Sequence, residues 1–330
     1  KLGCQTEHIS YLHPLHHQLY APPSLFSCLK FRHPKKAIGH FRDYFARRSY
    51  NWKFVEDQHY IPHTKRMSSQ ELSERRFDCI VTGSDAIWEF SIPAFGNDGF
   101  LIGNNLHCSK LVAYATSFGK MSPRDAFPTF VPTGLKKYDS IAVRDENSAN
   151  IVEKLIGIRP PVVLDPTLLW DFSNDSNIPK TDNRDYILVY TAGFDDKTVC
   201  QLKEYASRHH LKLIGAGLSQ PWCDYNISPL NPMEWIGLFE NAHCVATSTF
   251  HGLMFALNYK RPLIFRMVPY VRNRCSWLLK QLGIYTKFKC SSTPVDELLM
   301  HNLNYDIIGK KLGEMQEYSI EYLRSAVMEK

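Results

Sequence analysis

The sequence lacks the features that are typical of several classes of protein. None of its nine cysteines forms a C-x-x-C pair, so the ligand spacing of a zinc site is missing. No apolar run is long enough for a membrane-spanning helix, and the net charge of +6 is too small to predict a nucleic-acid partner. We therefore expect free, buried thiols in a reducing, cytoplasmic environment and no binding to nucleic acid.

Apolar segments are nevertheless plentiful and follow a regular order. Hydrophobic residues make up 44% of the 330 residues, enough for one large domain or two. From Phe77 onward, short apolar strands alternate with helical segments, which predicts parallel sheets with helices on both faces. The predicted strands of this first series are Cys79–Val81, Val112–Ala115, Ile141–Val143 and a fourth within 161–170 that ends in Asp165-Pro166.

A polar stretch, Pro166–Asp185, separates the first series from a second one of the same kind. The second series predicts helices over Lys197–His209, Asn231–Ala242, Cys275–Leu282 and from Tyr305 onward. We therefore predict an α/β protein of two Rossmann-like domains in a GT-B-type arrangement, with a ligand cleft between them. The expected domains are 1–170 and 171–330, and the last helix, about 306–330, is expected to pack back on the first domain.

The start of the chain predicts an incomplete first unit. Lys1-Leu2-Gly3 is typical of a helix end capped by glycine, and Cys4–Leu12 is typical of a strand. We therefore expect that an upstream β-α unit is missing before Lys1.

A basic segment, Lys30–Lys53, carries eight Lys and Arg residues against one acid. Ile38, Phe41 and Phe45 lie at helical spacing within it, which predicts a basic amphipathic helix near 34–48. Two interpretations stay open. The helix either packs in the ordinary way with a solvated basic face, or it contacts anionic lipid or a lipid-linked phosphate at the inner membrane face.

Polar side chains follow the predicted strands of both series. Asp85 follows the first strand, Arg144 follows the third, and Ser-Thr-Phe-His-Gly at 248–252 follows the strand at Cys244–Ala246. Each has an ordinary structural explanation, such as a helix cap, a surface ion pair or a packed histidine. Because parallel strands end at one edge of a sheet, these side chains could converge on a ligand.

Five motifs in order give the chain a specific resemblance. They are D-x-I-V-T-G-S-D-x-I-W, Y-A-x-S-F-G, V-R-D-x-x-S, L-D-P-T-L-L and S-T-F-H-G-L-M-F-A-L. From about Phe77 to Gly283 the chain resembles the polysaccharide pyruvyl transferase family. The resemblance implies transfer of pyruvate from phosphoenolpyruvate to a sugar as a cyclic ketal, with release of phosphate and no cofactor or metal. The implied acceptor is a polysaccharide, such as an exopolysaccharide or capsule, or a lipid-linked glycan precursor.

The resemblance also implies roles for particular residues. His251 is expected to protonate the donor or to bind its phosphate, and Asp85 to act as base for the sugar hydroxyl. The second domain is the expected donor side and the first the acceptor side. Expected donor contacts are Arg144, Ser248, Thr249, Gly252, Arg272 and Arg274. Expected acceptor contacts are Ser84, Trp88, Tyr114 and Ser117.

Two positions depart from the family pattern. Ala86 stands where the family usually has Gln, and Thr249-Phe250 stands where some members have Arg-Leu. If that arginine binds donor phosphate, Arg272 or Arg274 must supply the cation here. Two alternatives remain, a nucleotide-sugar glycosyltransferase of the same fold and a non-catalytic glycan-binding relative.

Overall fold

The computed structural model describes residues 2–11, 13, 61–93, 95–96, 98–182, 184–300 and 303–329. The predicted basic helix near 34–48 lies outside them, so its membrane contact stays a prediction. The expected strand over Cys4–Leu12 is wrong for its described residues, because His8 and Tyr11 make only isolated bridges, to His63 and Met67. In the described part of the chain, no helix combines the length and apolar character needed to cross a membrane.

Three parallel strands form the first sheet, in the order β1-β2-β3. The strands are β1 Arg76–Thr82, β2 His107–Thr116 and β3 Ser140–Val143. The helices around them are α1 Ser69–Glu74, α2 Phe130–Leu135 and α3 Glu146–Ile156. Strand β2 is buried continuously over its last six residues, as expected for a central parallel strand covered on both faces. Gly157 ends α3 with a φ of 75°, in the left-handed region that favours glycine after a helix.

Five parallel strands form the second sheet, in the order β6-β5-β4-β7-β8. The strands are β4 Tyr186–Tyr190, β5 Lys212–Ala216, β6 Tyr225–Ile227, β7 Cys244–Thr247 and β8 Leu263–Phe265. The longer helices are α4 Asp196–Arg208, α6 Phe250–Asn258, α7 Pro269–Gln281 and α10 Tyr305–Met328. The short helices are α5 Pro232–Gly237, α8 Tyr285–Phe288 and α9 Val295–Met300.

The predicted strand over 161–170 is wrong. Val162 makes one isolated bridge to Val143, and the chain then turns into a 3₁₀ helix over Pro166–Leu168. The Asp165 side chain accepts a hydrogen bond from the Thr167 amide at 3.1 Å, and Pro166 offers no amide for a strand ladder. The turn therefore replaces the strand and fixes the position of Asp165.

Helix α10 reaches back to the first sheet. Ser319 Oγ accepts a hydrogen bond from the Leu164 amide at 3.0 Å, and the Tyr322 ring lies 6.5 Å from the Tyr114 ring of β2. The structure is thus a mixed α/β fold with parallel sheets, compatible with Rossmann-like folds. The division of the chain at residue 170, the GT-B-type arrangement and the cleft stay predictions.

Candidate active site

The turn after β1 places Asp85 at the end of the first sheet, where its backbone makes an isolated bridge to Thr116 of β2. Gly83 has a φ of 132°, and a Cβ at this position would approach the Tyr114 carbonyl oxygen to 2.1 Å. Asp85 follows with a φ of 76°, in the left-handed region that aspartate tolerates better than most residues. Only glycine fits at position 83, and the tight turn leaves the Asp85 carboxylate largely exposed at the strand end.

Arg144, at the end of β3, joins two carboxylates. Its Nη1 donates to Asp165 Oδ2 at 2.8 Å and its Nη2 donates to Asp85 Oδ1 at 2.8 Å. The Arg144 and Asp165 side chains are buried, whereas the Asp85 side chain is 59% exposed. Burial raises the pKa of the Asp85 carboxyl, but the charges of Arg144 and His251, together with hydrogen bonds from the Ala86 amide and from Arg144, lower the pKa overall.

The turn between β7 and α6 is held together by hydroxyl groups. Ser248 Oγ shares a hydrogen bond of 2.6 Å with Thr191, and Thr249 Oγ1 caps α6 by accepting from the Gly252 amide at 3.1 Å. A Cβ on Gly252 would lie 2.2 Å from Thr247 Oγ1, so only glycine fits there too. The predicted donor contacts Ser248, Thr249 and Gly252 are thus occupied in shaping the start of α6.

His251 lies in the first turn of α6 and is partly buried. Burial lowers the pKa of its imidazole, and the charges of Arg144 and Arg274 lower it further, while Asp165 and Asp85 act in the opposite direction. The net pKa is below the ordinary value of 6.5, so the neutral imidazole is favoured near pH 7. The histidine therefore belongs electrostatically to the group formed by Asp85, Arg144 and Asp165.

Two guanidinium groups lie against the Phe250 ring. The Arg144 guanidinium carbon lies 4.3 Å from the ring centroid, and that of Arg274, from α7, lies 5.9 Å away. Arg274 also stacks on Tyr270 at 4.2 Å. It is 6% exposed, and its Nε is buried without a hydrogen-bond partner. Among the described residues no carboxylate pairs with Arg274, whereas Arg144 has two.

Of the two alternative cations, the structure brings only Arg274 to this group. Arg272 is exposed on α7 and, within the described part of the chain, forms no hydrogen bond, ion pair or ring contact with Asp85, Arg144 or His251. The spacing of the two arginines along a helix explains the difference, because residues two apart point to different sides. Sequence alone could not decide between them, since neither the helix start at Pro269 nor its orientation was predicted.

Three predicted acceptor contacts lie in the core instead, and those predictions are corrected. Trp88 is fully buried and its Nε1 donates to the Leu101 carbonyl at 2.8 Å. Tyr114 is 4% exposed and donates to the Leu164 carbonyl at 3.0 Å. Ser117 is fully buried and donates to Asp145 Oδ2 at 2.6 Å. These side chains are almost fully buried and already hydrogen-bonded within the protein, so they offer a sugar almost no surface, and of the four only Ser84, beside Asp85, stays a candidate.

Two members of the group were missed by sequence reasoning. Asp165 was placed at the end of the predicted fourth strand, and Phe250 was interpreted as a departure from the family pattern. The available signal for Asp165 was its place after an apolar segment, the same place that singled out Asp85 and Arg144. No three His, Cys, Asp or Glu side chains among the described residues come together as a metal site.

A family model described as polysaccharide pyruvyl transferase matches residues 22–266, nearly three quarters of the chain. No curated protein matches the sequence.

Proposed function

The chain belongs to the polysaccharide pyruvyl transferase family, and we propose that its donor is phosphoenolpyruvate. On this proposal it moves pyruvate to a sugar of a polysaccharide or lipid-linked precursor, forms a cyclic ketal and releases phosphate. The group of Asp85, Arg144, Asp165, His251 and Arg274 is the proposed active site. The first part of the chain supplies the acceptor side and the second part the donor side.

The observation that carries the proposal is the state of Arg274. A buried guanidinium without an acidic partner is unfavourable unless a ligand supplies the anion. Thr249 caps the Gly252 amide, which leaves the amides of Phe250 and His251 without a partner within the helix, and the helix N-terminus favours negative charge. Arg274, His251 and this helix end together form a site for a phosphate, as the donor requires.

The chemistry begins with a proton. In the free protein the lowered pKa keeps His251 largely neutral, and a bound phosphate raises that pKa because it adds negative charge nearby. The protonated His251 then transfers its proton to the methylene carbon of the donor, which becomes the methyl group. The adjacent carbon becomes electron-deficient and ready for attack by a sugar hydroxyl.

Asp85 is the proposed base for that hydroxyl. The sugar oxygen bonds to the electron-deficient carbon as Asp85 accepts the hydroxyl proton, and the bond from this carbon to the phosphate oxygen breaks. A second hydroxyl closes the ketal. Of the two hydroxyl protons, one restores His251 and the other leaves with phosphate, so the charges and atoms balance. No step in this sequence uses a redox group.

Ligand-dependent unfolding tests the proposed donor. Phosphoenolpyruvate at a hundred times its Kd should stabilise the folded protein by about 2.7 kcal/mol, and nucleotide sugars should leave the unfolding curve unchanged. Stabilisation by a nucleotide sugar and none by phosphoenolpyruvate would favour a glycosyltransferase instead. Stabilisation by a glycan alone would favour a non-catalytic binding protein.

A further inference from the structure

The two carboxylates on Arg144 are held very differently. The Asp165 side chain is 3% exposed, and its second oxygen accepts hydrogen bonds from the amide and hydroxyl of Thr167. The Asp85 side chain is 59% exposed, so solvent screens its ion pair with Arg144 and hydrates the carboxylate once it is displaced; exposed ion pairs contribute about 1 kcal/mol or less. Asp165 is therefore a fixed partner of Arg144, whereas Asp85 can be exchanged at small cost.

We infer that the Nη2 end of Arg144 is a carboxylate-binding subsite, which Asp85 fills until a ligand carboxylate displaces it. The inference rests on the proposed function, because phosphoenolpyruvate carries a carboxylate beside its phosphate. It also explains how Arg144 binds a ligand although both of its terminal nitrogens are already paired. The guanidinium plane, fixed by Asp165 and by the Phe250 ring, presents the same geometry to either carboxylate.

Arg144 and Arg274 both contact the Phe250 ring, and together they position the carboxylate and the phosphate of the ligand. Arg274 meets Phe250 from α7 while Arg144 meets it from β3. Arg274 lacks an acid among the described residues and takes the phosphate, whereas Arg144 exchanges Asp85 for the carboxylate. Phe250 is accordingly a positioning residue that holds both cations beside His251.

The displaced Asp85 then becomes a better base. In the free protein Arg144 contributes to the lowered pKa of its carboxyl, so the pKa rises when the contact with Arg144 is lost. The carboxylate is released beside the bound donor, where an acceptor hydroxyl must lose its proton. Donor binding thereby activates the base only when there is a donor to attack.

The Asp85→Asn variant tests the subsite, because the direction of the change in Kd distinguishes a competing carboxylate from a positioning one. Removing the competing charge should tighten phosphoenolpyruvate binding about two- to fivefold, measured by isothermal titration calorimetry. If Asp85 only positioned Arg144, the Kd would rise instead. Asp78→Asn is the matched control, because it removes the same charge from an exposed side chain near the other end of β1. Asp165→Asn should raise the Kd by about tenfold or more, provided that circular dichroism shows it folded.

Pyruvate and inorganic phosphate separate the subsite from the donor proposal. Asp85→Asn should tighten pyruvate binding and change phosphate binding little, because only pyruvate has the carboxylate. An equal gain for both probes would reveal a general charge effect and overturn the subsite. If pyruvate binding tightens but no form binds phosphoenolpyruvate, the proposed donor is wrong and the subsite stands. If phosphoenolpyruvate binds every form equally, the donor stands and the subsite is wrong.

Discussion

Replacing Arg274 by methionine should weaken ligand binding without weakening the fold. The side chain is 6% exposed, its Nε has no partner, and no carboxylate among the described residues neutralises it. An unsatisfied buried donor costs about 1–3 kcal/mol, and the stacking on Tyr270 at 4.2 Å returns about 0.5–1 kcal/mol. Methionine fills a similar volume, so the free energy of unfolding should rise by about 0–2 kcal/mol.

The same substitution should weaken donor binding, and by more free energy than it adds to the stability of the fold. Each hydrogen bond to a charged group is worth about 1.5–3 kcal/mol, and a guanidinium offers two to a phosphate. The Arg274→Met variant should therefore bind phosphoenolpyruvate at least about a hundredfold more weakly. A purely structural arginine would behave differently, since its loss would lower stability and leave the Kd of the folded protein unchanged.

Urea unfolding and calorimetric titration on the same samples measure both quantities. Arg272→Met is the matched control, because it removes the same charge from an exposed position two residues earlier on α7. The control should keep both stability and Kd close to those of the unaltered protein. A large loss of stability with an unchanged Kd in Arg274→Met would refute the reasoning that a ligand supplies the missing anion.

Three further perturbations address the acid, the pH dependence and the first turn. His251→Asn should lower donor-dependent phosphate release by about 10²-fold or more, measured against His107→Asn at an exposed site; equal rates would exclude an acid role. In the folded protein the pKa of His251 lies below 6.5, so the unfolded chain binds more protons in the acidic range. The free energy of unfolding should therefore fall as the pH drops from 6.5 toward 5. His251→Asn should flatten this pH dependence in urea unfolding. Gly83→Ala should cost about 2–4 kcal/mol because of the contact with Tyr114, whereas Gly313→Ala, with open space in α10, should stabilise by about 0.5–1 kcal/mol; equal effects would contradict the steric argument.

The sequence predicted the parts of the site that depend on a single strand and the turn after it. Apolar runs located β1, β3 and β7, and the polar residue after each run identified Asp85, Arg144 and His251. Parallel strands ending at a common edge made their approach predictable. The structure brings these three side chains into one electrostatic group, while their catalytic roles stay proposals.

What could not be predicted depends on contacts between distant segments. Nothing local distinguishes Trp88, whose ring is buried against Phe118 and Tyr138, from a tryptophan that stacks on a sugar. The pairing of Arg144 with Asp165 requires the turn that replaced the expected strand at 161–170. Such choices are made by tertiary packing, which propensity and periodicity do not contain.

Label transfer from phosphoenolpyruvate is the most direct test of the central claim. The protein would be incubated with donor carrying ¹⁴C in its three-carbon unit and with a panel of polysaccharide and lipid-linked acceptors. We expect acid-labile label on the acceptor and one inorganic phosphate released for each label transferred. Phosphate release without label on any acceptor, or transfer from a nucleotide sugar in place of phosphoenolpyruvate, would contradict it.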